Sequence, residues 1–184
     1  MKNALLLHGT GNTPSHNWLP WLKAQLEQRG YKVWVPQLPE AEFPNMDRYV
    51  EFVSSAGWDF NNDSILVGHS SGAVAILGIL QHLPDGVKAR QAILVGSFKD
   101  DLGREDLKGL FEKPIVYEKV KTKAQEFILL HSDDDPYCPL EHAEFLAEQL
   151  EGELVLLPGE KHFSISTGGE RFKELPEILK YLQE

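Results

Sequence analysis

The sequence predicts an α/β fold: one doubly wound, mostly parallel sheet of six strands with helices on both faces. Three observations predict it. Six short runs of Val, Ile and Leu recur along the chain, longer amphipathic stretches separate them, and the two kinds alternate almost throughout. Strands that are apolar at nearly every position are those buried on both faces of a parallel sheet.

The strand runs are Asn3–Leu7, Lys32–Val35, Ser64–Val67, Gln91–Val95, Glu126–Leu130 and Glu153–Leu157. Between them, Trp18–Arg29 sets Trp18, Leu22 and Leu26 along one stripe and stops at Gly30. Trp18 and Trp21 read as core or rim aromatics. A second helix covers Asp47–Ala56, with Tyr49, Val50 and Val53 as its apolar side. Ser71–His82 is apolar almost all round, which predicts a central buried helix. Pro139–Leu150 and Arg171–Gln183 complete the set, with Pro176 starting or kinking the last. Only Phe98–Gln125 gives no clear pattern; it reads as a small cap, with no length left for a large lid.

The 184 residues suffice for one domain, 1–184, with a real core, and are too few for two. A net charge of −10 argues against a nucleic-acid partner, which needs a basic face. The single cysteine, Cys138, precludes an internal disulfide and suggests a reducing compartment. The N-terminus is too short in apolar residues for a signal sequence, and no segment is long enough to span a membrane. The expectation is a cytoplasmic protein with no membrane association.

The stretch LVGHSSGA, residues 66–73, carries the first chemical signal. An apolar strand runs into Gly68-His69-Ser70-Ser71-Gly72 and then at once into a helix, the sequence form of a nucleophile elbow with Ser70 at its tip. A serine hydroxyl is a weak nucleophile unless an imidazole takes its proton, and that imidazole needs a carboxylate to fix its tautomer. In open α/β sheets such groups gather beyond the carboxyl ends of the strands. There the chain offers His8-Gly9-Thr10-Gly11 after the first strand, Asp133-Asp134-Asp135 after the fifth and Glu160-Lys161-His162 after the sixth. The order Ser, Asp, His is that of the α/β-hydrolase fold.

His162 is the expected base, in a glycine-containing loop. Asp135 is the expected acid, because Pro-Tyr-Cys-Pro after it stiffens the turn; Asp133, on the same side of an extended segment, is the alternative, and Asp134 the third. An oxyanion site needs backbone N–H groups, expected from Ser71 and from Thr10, with Gly11 as the alternative to Thr10. Gly9, Gly11, His69 and Phe98 are expected to border the substrate, with His8 and His69 also packing or hydrogen bonding. His131 beside three aspartates lacks the spacing of a metal site, so neither metal nor other cofactor is expected.

Other segments fit one family. His16-Asn17-Trp18-Leu19-Pro20-Trp21-Leu22, Gly68 to Ala73, Asp101-Leu102-Gly103, Phe111-Glu112-Lys113-Pro114, Tyr117-Glu118-Lys119-Val120, Asp134-Asp135-Pro136 and Gly159 to Phe163 span nearly the whole chain. In that order and spacing they resemble the small serine hydrolases of the retinoblastoma-binding protein 9 family and their bacterial relatives. The resemblance implies a single α/β-hydrolase domain, with nucleophile, acid and base falling on Ser70, Asp135 and His162. The Leu-x-Cys-x-Glu motif tied to retinoblastoma-protein binding is replaced here by Ser54-Ser55-Ala56-Gly57-Trp58-Asp59, so no retinoblastoma-type partner is expected. The expected activity is hydrolysis of a small-molecule ester or amide through an acyl-serine. The alternative is a binding or regulatory protein that keeps the fold without turnover, from which loss of at least one of the three residues would be expected.

Overall fold

Every neighbouring pair of strands in the sheet is parallel. In the computed structural model, which describes residues 1–182, the strands are β1 (Asn3–Leu7), β2 (Lys32–Trp34), β3 (Ser64–His69), β4 (Ala89–Val95), β5 (Ala124–His131) and β6 (Glu153–Leu156), in the order β2-β1-β3-β4-β5-β6. All six fall where the sequence places them; β3, β4 and β5 run longer than their apolar runs, and β2 and β6 end one residue short of theirs.

Successive side chains on a strand face opposite ways, and that alternation divides the core. Leu5, Leu7, Leu66, Leu94 and Leu129 join one apolar cluster with helices α2 (Met46–Ser55), α3 (Ser71–His82) and α5 (Leu140–Leu150). Ala4, Leu6, Val67, Ile93, Val95 and Leu130 join the other, under helix α1 (Leu19–Gln28) and the C-terminal turns. Helices therefore cover both faces, which is why the strands are continuously apolar. Every residue of α3 from Ser71 to Leu80 is buried, as its all-round apolar sequence predicts.

The C-terminal segment departs from expectation. Arg171–Gln183 does not form one helix: two 3₁₀ turns, Glu170–Lys173 and Pro176–Tyr181, replace it, and Gln183 lies outside the described residues. Pro176 lacks the N–H needed to continue a helix and opens the second turn instead. Phe172, Leu175 and Ile178, three residues apart and buried, hold the segment to the apolar cluster on that face of the sheet. Between β4 and β5 the chain makes a 3₁₀ turn, Glu105–Leu110, and the four-residue helix α4 (Tyr117–Val120). Among the described residues no helix is long and apolar enough to cross a membrane.

The order places β1 between β2 and β3, so the chain leaves β1 in one direction and later returns on its other side. Ligands in such sheets bind at this switch, beyond the strands' carboxyl ends. The register aligns those ends, pairing Leu7 with Gly68, His69 with Val95, Val95 with Leu130 and His131 with Leu156. Five loops, after β1, β3, β4, β5 and β6, thus begin along one edge.

Candidate active site

Between the end of β3 at His69 and the start of α3 at Ser71, Ser70 alone makes the reversal, with φ 56° and ψ −125°. A non-glycine residue held in such a region stores about 1–3 kcal/mol of strain, which the surroundings must offset. Here the Ser70 N–H donates to the Val95 carbonyl at 2.8 Å, and the Ser70 carbonyl accepts from the Ala73 N–H at 2.9 Å. The flanking glycines are steric requirements: a Cβ on Gly68 would lie 2.5 Å from the Ala73 backbone, and one on Gly72 2.5 Å from the Leu7 and His8 carbonyl oxygens. A Cβ on Gly9 would come within 3.1 Å of the Ser70 Cβ, so the loop after β1 passes directly against the serine.

The three adjacent aspartates separate into distinct positions. Asp135 alone turns its carboxylate inward: Oδ2 accepts from His162 Nδ1 at 2.7 Å, and Oδ1 accepts from the N–H groups of Tyr137 and Cys138 at 2.9 and 3.0 Å. Its side chain is fully buried. Burial raises its pKa, but the bonds from His162 and from the two amides outweigh that and hold it below the ordinary carboxylate value. Asp133 is exposed and accepts from the Gly159 N–H at 2.9 Å. Asp134 accepts from the Lys161 ammonium at 2.6 Å, from the Ser132 hydroxyl at 2.8 Å and from the Lys161 N–H at 2.9 Å, and these lower its pKa to about 2. Asp133 and Asp134 thus tie the loop before His162 to the end of β5, while Asp135 contacts the imidazole itself.

That loop needs tying. Lys161 and Phe163, the residues on either side of His162, both have positive φ, 53° and 51°. Trp18 Nε1 donates to the Phe163 carbonyl at 3.1 Å, and His69 Nε2 donates to the His162 carbonyl at 2.8 Å. Burial lowers the His69 pKa to about 3, so its ring is neutral and serves as a fixed donor. His8 is likewise a structural group: Nε2 accepts from the Leu38 N–H at 3.0 Å, and burial lowers its pKa. Tyr137, half exposed, sets its ring edge-on to His162 with centroids 5.1 Å apart.

Gly96, at the end of β4, was not among the sequence candidates. Its φ is +59°, and a Cβ there would meet His162 Cε1 at 3.1 Å and Nδ1 at 3.2 Å. The imidazole lies against this bare backbone. The strand-end rule that points to Ser70 applies equally to β4, and Gly96 directly after Val95 is the residue it indicates.

A cavity of about 220 Å³ opens over Ser70 and His162. Gly9, Thr10, Asn12, His69, Ser164 and Ser166 line one part; Phe98, Leu102, Arg104, Leu107, Tyr137 and Cys138 line the other. The segment after β4 therefore forms a wall, as its apolar residues suggest. Thr10 Oγ1 donates to Ser71 Oγ at 2.9 Å, joining the two loops expected to supply an oxyanion site. No acceptor among the described residues takes the N–H of Thr10 or Ser71. The Gly11 N–H is already committed to the Ala41 carbonyl at 2.9 Å, and Gly11 does not line the cavity. Asn12, Arg104, Tyr137, Ser164 and Ser166 are lining residues for which isolated loop positions give no sequence signal.

Asp135, Cys138 and His162 bring three donor atoms within 4.8 Å of one another. This is a poor metal set, since Nδ1 is bonded to Asp135, and burial followed by the charge of Asp135 pushes the Cys138 thiol far up.

The profile of a family described as serine hydrolase matches residues 4–184. The serine hydrolase RBBP9 of Rattus norvegicus is 27% identical over 176 residues, covering 94% of this chain and 90% of its own. YdeN of Bacillus subtilis (strain 168) is 27% identical over 186 residues, covering 98% and 94%. The crystal structure of the ydeN product superposes with a TM-score of 0.91 at 26% identity, over 99% of this chain and 97% of the other. Est1E of Butyrivibrio proteoclasticus, 15% identical, shares the fold with a TM-score of 0.70 over 98% and 84%. With the family profile spanning all but its first three residues, the chain belongs to the serine hydrolase family, among relatives of RBBP9 and YdeN.

Proposed function

We propose that the protein hydrolyses small carboxyl esters, and amides of similar size, through an acyl-serine intermediate on Ser70. The observation that carries this reading is the meeting, in one cavity, of Ser70 on its strained elbow with the His162 imidazole, whose Nδ1–H is held by Asp135 at 2.7 Å. In the proposed cycle Ser70 Oγ attacks the carbonyl carbon while His162 Nε2 takes its proton. The negative charge on the carbonyl oxygen is met by the N–H groups of Thr10 and Ser71, the latter at the start of α3 where the helix dipole also favours an anion. As the tetrahedral species collapses, the bond to the leaving oxygen or nitrogen breaks and His162 returns the proton to it. Water, deprotonated by His162, then releases the acid and restores Ser70. Asp135 stabilises the imidazolium in both halves.

A 220 Å³ cavity lies below the range of about 300–1,000 Å³ typical of drug-sized ligands, which supports short or compact acyl groups. The sole cysteine is unpaired and buried, which suits a reducing, cytoplasmic setting. The test is labelling with a fluorophosphonate, read by intact mass, beside rates on p-nitrophenyl esters of increasing chain length. One adduct is expected, lost in Ser70→Ala and kept in Ser71→Ala, with kcat/KM falling from four-carbon to twelve-carbon acyl groups. Labelling that survives Ser70→Ala overturns the nucleophile; rates that keep rising to twelve carbons overturn the size argument.

A further inference from the structure

The chain carries a net charge of −10, yet among the described residues the one permanently charged side chain lining the cavity is a cation, Arg104. Among the described residues no aspartate or glutamate lines it; Asp135 has a fully buried side chain bonded to His162. Arg104 precedes the 3₁₀ turn Glu105–Leu110, in the wall formed between β4 and β5. Its guanidinium is held rather than free. Nε donates to Asp106 Oδ1 at 3.1 Å and Nη2 to Asp106 Oδ2 at 2.6 Å, a two-point clamp that fixes the plane of the fork. Among the described residues no other acceptor takes a guanidinium proton, so Nη1 keeps both N–H donors and Nη2 one. Arg104 lines the cavity and Asp106 does not; the Arg104 side chain is 46% exposed, so its remaining donors are open to solvent and to an incoming ligand.

A fork held this way, with donors left over in a small substrate cavity, suits a planar anion that accepts two parallel N–H bonds. The wall around Arg104 is otherwise apolar, from Phe98, Leu102, Leu107 and Tyr137. A neutral hydrocarbon would fit that wall but would make no bond to the remaining donors, whereas a carboxylate would gain a charge-assisted pair. We propose that Arg104 is a specificity residue that recognises a carboxylate on the substrate, so that the preferred substrates are compact esters bearing a free carboxylate, either on the acyl group or on the leaving alcohol. For turnover this rests on the hydrolase reading above; for binding it does not.

The test uses two matched pairs of esters with the full chain. For the acyl arm, the p-nitrophenyl half-ester of glutaric acid is compared with p-nitrophenyl pentanoate. For the leaving arm, 3-acetoxybenzoate is compared with phenyl acetate. The expected result is that in at least one pair the ratio of anionic to neutral kcat/KM falls about 10- to 100-fold in Arg104→Met, the range for a charge-assisted hydrogen bond. Arg104→Gln supplies a second variant if Arg104→Met folds poorly. In Lys108→Met, which removes a cation on the same segment that pairs with Glu105 and does not line the cavity, the ratio stays as in wild type. Glutarate and 3-hydroxybenzoate are also titrated by NMR, where Arg104→Met raises Kd at least tenfold for the acid of the preferred arm. Turnover with unchanged ratios in both pairs, and unchanged Kd for both acids, overturns the role of Arg104 and leaves the hydrolase reading intact. Absent turnover of all four esters, with acid binding still lost in Arg104→Met, overturns the hydrolase reading and leaves this one standing.

Discussion

Replacing Gly96 with alanine should damage chemistry more than stability, and the structure separates the two effects. The backbone at Gly96 has φ +59°, where an L residue costs about 1–2 kcal/mol. For a chain of this length that corresponds to a fall in Tm of about 2–8 °C. The new methyl carbon would also lie 3.1 Å from His162 Cε1 and 3.2 Å from Nδ1. The Gly96 N–H is pinned to the Leu130 carbonyl at 3.0 Å, so the ring must yield by a few tenths of an ångström, against its 2.7 Å bond to Asp135. A misplacement near 1 Å costs about 100-fold in rate, so a smaller shift that also strains this bond should lower kcat about 10- to 100-fold. Gly86→Ala is the control: φ there is +81°, but nothing lies within 4 Å of the added carbon. Both variants should lose similar Tm by calorimetry, while only Gly96→Ala loses kcat on p-nitrophenyl butyrate and reacts slowly with a fluorophosphonate. Equal losses of kcat in the two variants, or full activity in Gly96→Ala, would refute the reasoning.

Two further outcomes follow from the same geometry. Asp135→Asn should lower kcat on the order of 10⁴-fold, as in other serine triads, whereas Asp133→Asn and Asp134→Asn, which only anchor the neighbouring loop, should cost less than about tenfold; a greater loss from Asp133→Asn than from Asp135→Asn would show the wrong carboxylate has been chosen. Acid should destabilise the fold before its carboxylates titrate, because burial lowers the pKa of His8, His69 and His131 from 6.5, and His131 keeps its Nδ1 without a partner. Below pH 6.5 the unfolded chain binds protons at these rings that the folded chain does not, so unfolding free energy falls with pH by up to about 1.4 kcal/mol per unit for each histidine. Urea midpoints between pH 7 and pH 5 should therefore fall, and less steeply in His69→Gln; a flat profile would mean the rings are charged in the fold.

Much of the fold is legible because burial on both faces of a sheet leaves a signature that needs no partner to interpret. Leu5 and Leu6 sit in opposite cores, and each is apolar for its own reason. The C-terminal segment fails for the complementary reason. Phe172, Leu175 and Ile178 have spacing a helix can bury, and only the sheet surface decides that 3₁₀ turns bury it as well. Pro176 marks the break without revealing which side of it stays helical.

The site is legible to the extent that its groups are fixed by backbone geometry. Gly68 and Gly72 must be glycine because the elbow brings carbonyls and a helix start to within contact, and the strained tip between them marks Ser70. No such rule bears on the proposed oxyanion donor, Thr10 or Gly11; what favours Thr10 is the Ala41 carbonyl, thirty residues away, which takes the Gly11 N–H. The three aspartates lie between these cases. Their sequence shows only that a carboxylate is available three times. What distinguishes them is the return of the chain after β6, where Gly159 meets Asp133, Lys161 meets Asp134 and His162 meets Asp135, in the same order along both loops. Two antiparallel-like partners would cross that order; these loops leave parallel strands β5 and β6 side by side, so each successive aspartate is matched to a later residue of the His162 loop. The carboxylate facing the imidazole is therefore the last of the three because His162 is the last of the three partners along its loop, and moving the histidine one residue earlier would put it at position 161, which Asp134 serves.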